Sequence, residues 1–150
     1  MTEFTVRIGD AADVPRVAPL FDAYRQFYRQ PSDPQRAREF LAQRAERAES
    51  LLFVAESEDR EALGFVQVYP IFSSVRCRRA WILNDLFVAK SARRLGVARA
   101  LLRFVAHEAQ RAGAAYVELA TETNNANARA LYEQEGYVRE TGYEHYTLEL

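Results

Sequence analysis

The feature that most constrains the fold is a short passage from an apolar strand into an amphipathic helix. Residues 88–102 read VAKSARRLGVARALL and follow a strand-like segment at residues 81–88. The first amides of a helix have no partner inside it, so they point outwards with the positive end of the helix dipole. Gly96 and Ala98 are small enough for a ligand to approach the backbone, and Arg93 and Arg94 add positive charge. The passage therefore predicts a corner that binds a phosphate or pyrophosphate.

Two other interpretations of this passage compete with the first. A dinucleotide-binding fold requires a fuller glycine pattern, and a P-loop requires a Lys-Ser/Thr ending, so both match poorly. An Arg-Arg-x-Gly turn that enters a helix also occurs as a plain solvated turn. On this passage alone, the phosphate corner and the solvated turn both remain open.

A second segment, residues 125–137, reads NANARALYEQEGY. It predicts a helix that is capped by Asn125 and ended by a left-handed Gly136, with a new strand beginning at Tyr137. Together the two segments resemble the GCN5-related N-acetyltransferase (GNAT) family. The pyrophosphate motif of that family, Gln/Arg-x-x-Gly-x-Gly/Ala, is matched by Arg93, Gly96 and Ala98. Its later motif, Asn-x-x-Ala-x-x-Leu-Tyr-x-x-x-Gly-Phe/Tyr, is matched by Asn125, Ala128, Leu131, Tyr132, Gly136 and Tyr137.

Hydrophobic periodicity and turn residues predict the order of elements along the chain. Strands are expected at residues 4–8, 51–56, 63–72, 80–88, 116–121, 137–140 and 143–150. Helices are expected from about residue 14 to 28, from Pro34 to about Ser50, from Gly96 to Ala112 and over residues 125–135. The resemblance implies an α/β (α+β) fold. Its central sheet is mixed but mostly antiparallel, has six to seven strands, splays at the cofactor cleft and is flanked by about four helices.

Composition agrees with a single globular domain over residues 1–150. The chain has 150 residues, of which 49% are hydrophobic, and it has no apolar stretch long enough to span a membrane. Its formal charge of −1 gives no global field for nucleic acid, so neither a nucleic-acid partner nor a membrane partner is expected. The beginning of the chain lacks a basic leader and an apolar signal core, and the lone Cys77, expected in a turn, cannot form an internal disulfide. We therefore expect a cytoplasmic protein without a metal site.

The resemblance implies that acetyl-CoA is the co-substrate and lies where two parallel strands, near residues 83–88 and 116–121, splay apart. The pantetheine arm would pair with the backbone of the first strand like an added strand. The implied cofactor-binding residues are Leu86, Phe87, Val88, Arg93, Arg94, Leu95, Gly96, Val97, Ala98, Arg99, Asn125, Asn127, Ala128 and Tyr132. Tyr132 also matches the general acid of the family, although an aromatic residue on a helix is by itself more often a core residue.

The general base is sought at Asn84 and Asp85. Strand alternation sends these neighbours to opposite faces unless a bulge intervenes, and only Asp85 can accept a proton. Relatives resembling polyamine acetyltransferases carry a carboxylate at the position of Asn84, so a water chain is an alternative to a direct base. Glu118 and Glu122 are further candidates.

The acceptor pocket is expected to use Tyr24, Phe27, Tyr28 and Tyr69, whose rings suit a cationic amine but also suit core packing. Residues 69–75 and 81–88 resemble a subgroup that acetylates polyamines, amino acids and histone tails. We therefore expect an N-acetyltransferase that acts on a primary amine of a small molecule or basic side chain by direct attack in a ternary complex. A homodimer is left open. The alternatives are a catalytically idle acyl-CoA-binding or sensor module on the same fold and a non-enzymatic partner protein.

Overall fold

The computed structural model describes residues 3–150, which divide into two compact units: one ends at Ala120 and the other spans Thr121–Leu150. The first unit contains β1 (Phe4–Ile8), α1 (Val14–Phe27), α2 (Pro34–Glu46), β2 (Leu51–Ser57), β3 (Ala62–Ser73), β4 (Arg78–Val88), α3 (Val97–Arg111) and β5 (Val117–Glu118). The second unit contains α4 (Ala126–Gln134). Short 3₁₀ turns at Ala11–Asp13 and Lys90–Ala92 precede α1 and α3.

The sheet of the first unit follows the order β1-β2-β3-β4-β5. The first four strands form an antiparallel meander, whereas β4 and β5 run parallel and pair only at Trp81 with Val117 and at Ile82 with Glu118. This arrangement confirms the expected mixed, mostly antiparallel sheet and the α/β class.

Helices cover both faces of the sheet because neighbouring strand residues point to opposite sides. Val54 of β2 belongs to a buried cluster with residues of α1 and α2. Phe53, one position earlier, packs instead against Phe104 of α3, with ring centroids 6.0 Å apart. A Cβ added to Gly64 would lie 3.1 Å from Cγ1 of Val97, so the missing side chain lets the start of α3 approach β3 closely.

Local signals set the helix ends. The Asp10 side chain accepts a hydrogen bond from the amide of Ala12, and the Asp33 side chain accepts one of 3.0 Å from the amide of Arg36 at the start of α2. We expected α2 to reach about Ser50, but it ends at Glu46. Ala48 adopts a left-handed conformation with φ of 50°, and this reverses the chain before β2.

Two expected strands near the end of the chain are wrong. Residues 137–140 and 143–150 form no strand in the part of the chain that the structure describes, and the strand expected at 116–121 is reduced to Val117–Glu118. The sheet therefore has five strands rather than six to seven. Large apolar side chains such as Val138 and Leu148 remain exposed. Alternation in a sequence records strand preference, but a strand also requires a partner, which the pattern does not specify.

No helix within residues 3–150 combines the length and the apolar character that crossing a bilayer requires.

A partly buried ion network joins β1, the start of α1 and β2. Arg7 contacts Asp13 at 2.6 Å and Glu56 at 2.9 Å, and Arg16 pairs with both carboxylates as well. The pKa of Glu56 is lowered to about 2, and the pKa of Asp13 lies well below its ordinary value. In both cases the hydrogen bonds from Arg7 are the largest cause. Both acids are thus stabilised in the charged form by folding.

This network predicts a loss of stability in acid. Because the folded-state pKa values of Asp13 and Glu56 lie below the unfolded values of about 4, their contribution is complete above about pH 5 and is lost as the pH falls towards 2. Asp13→Asn should lower the free energy of unfolding at pH 7 by about 3 kcal/mol, the lower end for a broken buried pair, since Arg7 and Arg16 are about a third exposed.

Urea unfolding between pH 7 and pH 2 measures this effect. Asp13→Asn should flatten the acid slope of stability, whereas Glu58→Gln, at an exposed position of the turn after β2, should keep it. Equal slopes for the wild type and Asp13→Asn would contradict the assignment.

Candidate functional site

A bulge in β4 places two neighbouring polar residues at one cavity. Gln67 of β3 pairs with Asp85, but the next residue, Val68, pairs with Leu83, so Asn84 is an extra residue on β4. Without the bulge, alternation would send Asn84 and Asp85 to opposite faces. With the bulge, both line the same cavity.

The cavity has a volume of about 430 Å³ and lies between α1, α2, β3 and β4. Its lining combines aromatic rings, two guanidinium groups, two amides and one carboxylate: Phe21, Tyr24, Arg25, Tyr28, Gln30, Arg36, Phe40, Tyr69, Asn84 and Asp85. Of the four residues expected at the acceptor pocket, Tyr24, Tyr28 and Tyr69 are therefore brought together. Phe27 does not line the cavity, and the residue is 53% exposed.

Asp85 is the acidic group of this cavity and is almost completely buried, with 3% of its surface exposed. Gln67 Nε2 donates to Asp85 Oδ2 at 2.5 Å, and Asn84 Nδ2 donates to Asp85 Oδ1 at 2.9 Å. Burial is the main effect and raises the pKa of Asp85, while the hydrogen bonds from Gln67, Asn84 and Tyr24 act in the opposite direction. The carboxylate is thus a stronger base than an exposed aspartate.

Residues that the sequence did not single out complete this site. Gln67 is 1% exposed, and its only sequence signal is a polar residue between Val66 and Val68 in an apolar strand. Arg25 and Arg36 lie on helices whose charges are typical of a solvated face. Tyr24 is held in place from the sheet, because its hydroxyl donates to the carbonyl oxygen of Asn84 at 3.1 Å.

The other edge of β4 is open over the second half of the strand. The ladder to β5 ends at Ile82 and Glu118, so the stretch Leu83–Val88 pairs with β3 alone among the strands that the structure describes. This stretch includes Leu86, Phe87 and Val88, which were expected to offer main-chain groups to a ligand. An extended chain can add to such an edge through backbone hydrogen bonds.

The expected phosphate corner follows directly after this open stretch. Gly96 precedes α3 in a left-handed conformation with φ of +82°, and a Cβ built on it has open space within 4 Å. Gly96 has no side chain with which to cap α3, and the first amides of a helix, here those of Val97 and Ala98, have no acceptor within the helix itself. An uncapped helix start with open space above it fits a pyrophosphate.

The arginines at this corner occupy different environments. Arg93 Nε donates to the carbonyl oxygen of Val88 at 3.3 Å, and its guanidinium carbon lies 5.5 Å from the centre of the Phe87 ring. Arg93 therefore contacts the end of β4 from the turn that precedes α3. Arg94, with φ of 65°, and Leu95 are exposed beside it.

The second unit carries the other motif. Asn125 Oδ1 accepts a hydrogen bond of 3.2 Å from the amide of Ala128, which confirms the expected helix cap, and Gly136 has the expected left-handed φ of 91°. Asn127 is exposed. Tyr132 is half-buried on α4, with its ring centroid 6.0 Å from that of Tyr137. Burial raises the pKa of Tyr137 to about 12.

A different cavity, of about 470 Å³, lies beside the ion network of Arg7 and Asp13. Its central charged groups already pair with one another, so they offer little to a ligand. The cavity at Asp85 is the better candidate for chemistry.

Comparison with known proteins shows the family of this chain. The family model described as Acetyltransferase (GNAT) family matches residues 17–137. The chain belongs to the GNAT family. An uncharacterized N-acetyltransferase of Bacillus subtilis, YhfO, is 48% identical over 143 residues, which cover 95% of each chain.

Two solved structures share the fold of this chain. A crystal structure of a probable acetyltransferase is 36% identical, covers 97% of each chain and superposes with a TM-score of 0.92. A ribosomal-protein-alanine N-acetyltransferase from Brucella melitensis has a TM-score of 0.84 at 22% identity, covers 99% of this chain and 100% of its own, and shows the fold alone.

The site predicts an unusual titration of Asp85. Its carboxyl should titrate above the ordinary range, and Gln67→Leu should raise the pKa further, since the substitution removes a hydrogen bond to the charged form. Carbon-detected NMR of the Asp carboxyl signals measures the Asp85 pKa in the wild type and in Gln67→Leu, and the signal that is missing in Asp85→Asn identifies Asp85.

The raised pKa also predicts an effect on stability. Because the folded state binds this proton more tightly, the free energy of unfolding of Asp85→Asn should increase relative to that of the wild type as the pH rises through the Asp85 pKa. A normal pKa that Gln67→Leu leaves unchanged would contradict this account.

Proposed function

We propose that this protein is an N-acetyltransferase that moves an acetyl group from acetyl-CoA to a primary amine by direct attack in a ternary complex. The observation that carries the proposal is that one strand, β4, has an open edge over Leu83–Val88 and presents Asn84 and Asp85 to a small-molecule cavity through its bulge. A donor held along the edge and an acceptor held in the cavity would share the same strand.

The cofactor-binding residues act mainly through the backbone. Main-chain groups of Leu86 and Val88 would pair with the pantetheine arm, and the amides of Val97 and Ala98 would bind the pyrophosphate. Acetyl-CoA supplies the activated thioester. Arg94, exposed beside Gly96, adds charge to the phosphate corner.

Asp85 provides the base. An amine attacks a carbonyl carbon only when it is neutral, so the ammonium form must first lose a proton. Asp85 accepts this proton directly or through a water molecule, and its burial strengthens it for this task. Asn84 and Gln67 hold the carboxylate in place by hydrogen bonds and carry no proton themselves.

Tyr132 provides the acid. As the bond between the acetyl carbon and sulfur breaks, the departing thiolate needs a proton or a strong hydrogen bond, and the Tyr132 hydroxyl can donate either. This role rests on the match of the second motif to the family, in which this tyrosine follows Leu131 and precedes Gly136.

An acetyl-transfer screen against amino acids, polyamines, aminoglycosides and Lys peptides tests the proposal. Gly96→Glu should abolish CoA binding and transfer, while Gly113→Glu, at an equally left-handed and open position, is the matched control. Binding of CoA by the wild type without transfer to any amine would favour the idle acyl-CoA module instead.

The proposed acid predicts the behaviour of Tyr132→Phe. The variant keeps the ring but lacks the hydroxyl, so kcat on the best amine should fall by about 10²- to 10⁴-fold with CoA affinity nearly unchanged. Steady-state turnover and a CoA titration measure the two effects, and Tyr143→Phe, at an exposed position, is the control. Unchanged turnover would make Tyr132 a packed aromatic and leave water as the proton donor.

A further inference from the structure

The cavity at Asp85 carries more positive than negative charge. Two of its lining residues are arginines, Arg25 of α1 and Arg36 of α2, whereas Asp85 is the only carboxylate among them. A pocket built for a simple cationic amine or a polyamine would carry the opposite balance, because each guanidinium repels an ammonium group. The charge of the lining therefore points to a ligand that also carries a negative group.

The unpaired Nη1 atom of Arg25 supports this conclusion more strongly than the charge balance of the lining does. Its Nη1 atom is buried and has no hydrogen-bond partner among the residues that the structure describes. Buried donors of this kind are normally paired, so one that is left unpaired beside a cavity marks a place where a ligand can complete the hydrogen bonding.

Asp22, an acid that affects Arg25, does not bind this atom. Asp22, which interacts electrostatically with Arg25, uses its carboxylate elsewhere. Its Oδ1 accepts from the amide of Asp33 at 2.8 Å, and its Oδ2 accepts from Ser32 Oγ at 2.7 Å and from Gln26 Nε2 at 3.1 Å. Asp22 thus anchors the loop between α1 and α2 and leaves Arg25 Nη1 available.

Arg44, a further positive residue near the cavity, is already paired. Arg44 lies close enough to affect the Tyr69 hydroxyl, but its Nε contacts Glu49 at 3.1 Å and its guanidinium stacks on the Phe40 ring at 4.6 Å. Arg36, in contrast, is exposed on α2 at the cavity. Arg25 and Arg36 are therefore the groups of this site that can receive an anion.

We infer that the acceptor is an amino acid, a small molecule whose amine is turned towards Asp85 while its carboxylate binds Arg25 and Arg36. This inference rests on the proposed function. A planar carboxylate matches the fork of an arginine side chain. The cavity of about 430 Å³ is of small-molecule size, and its rings, such as Phe21 and Phe40 with centroids 5.7 Å apart, suit an acceptor with an apolar side chain.

Matched acceptors test the inference on the wild-type protein. Phenylalanine is compared with 2-phenylethylamine, which lacks the carboxylate, and with phenylalaninamide, in which a neutral carboxamide replaces the carboxylate. The amine of the first comparator is more basic than that of phenylalanine, and the amine of the second is less basic. A kcat/KM for phenylalanine that exceeds both by about tenfold or more therefore reports recognition of the carboxylate and not amine basicity. Methionine and 3-(methylthio)propylamine repeat the test with a smaller side chain.

Variants of the arginines locate the effect. Arg25→Gln should raise KM for phenylalanine by about tenfold or more and leave 2-phenylethylamine within about twofold, and Arg25→Lys should restore part of the loss. Arg36→Gln should act in the same direction. Arg38→Gln, at an exposed position of α2 outside the cavity lining, should leave both acceptors unchanged. If Arg25→Gln fails to fold, Arg36→Gln and the wild-type comparison decide the matter.

Isothermal titration calorimetry, in which phenylalanine is added to the protein in the presence of CoA, measures acceptor binding independently of transfer. It therefore separates this inference from the proposed function. Equal or better transfer to the amines without a carboxylate would overturn the inference and leave the acetyltransferase intact. Binding of phenylalanine that depends on Arg25, without transfer to any amine, would support the anion site and contradict the proposed reaction. If neither binding nor transfer of phenylalanine is found, the inference is wrong.

Discussion

The site depends on one irregularity in the backbone, the extra residue Asn84 in β4. A regular strand would present Asp85 and Asn84 to opposite faces and would bury one of them under α3. The bulge turns both towards α1 and α2, where the hydroxyl of Tyr24 donates to the Asn84 carbonyl and fixes the nearest helix to it. The same strand lies open beyond Ile82 on the β5 side. The proposed acceptor cavity and the proposed donor edge therefore both result from how a single strand is paired.

Buried acids of the first unit lie in two kinds of electrostatic environment. Asp13 and Glu56 receive guanidinium partners, so folding favours their charged forms and they contribute stability. Asp85 receives hydrogen bonds from the neutral groups of Gln67, Asn84 and Tyr24, and burial makes its charged form unfavourable. A carboxylate that is costly to keep charged is poor for stability but well suited to accept a proton. The contrast between compensated and uncompensated acids separates the structural network from the candidate active site.

Much of the fold can be predicted from the sequence, because its signals are local. The alternation of apolar and polar residues predicts β1, and a glycine at the end of a helix predicts the left-handed conformation of Gly136. Both features depend on only a few neighbouring residues. The pairing of Gln67 with Asp85 could not be predicted, since the register between strands is a property of two segments at once. The role of Arg25 could not be predicted either, because a charged side chain on a helix is usually solvated. Only the tertiary structure buries the Nη1 atom of Arg25. The strands expected at residues 137–140 and 143–150 do not form for a related reason, because an alternating sequence does not identify the strand with which it would pair.

In the proposed mechanism, the donor binds along the open half of β4 and at the start of α3. Residue-resolved amide hydrogen exchange, measured with and without CoA, tests it most directly. Addition of CoA should slow exchange within residues 83–88 and at the amides of Val97, Ala98 and Arg99, and should leave β1 and β2 unchanged. Protection that instead falls around Arg7 and Asp13, with exchange at residues 83–88 unaffected by saturating CoA, would contradict it.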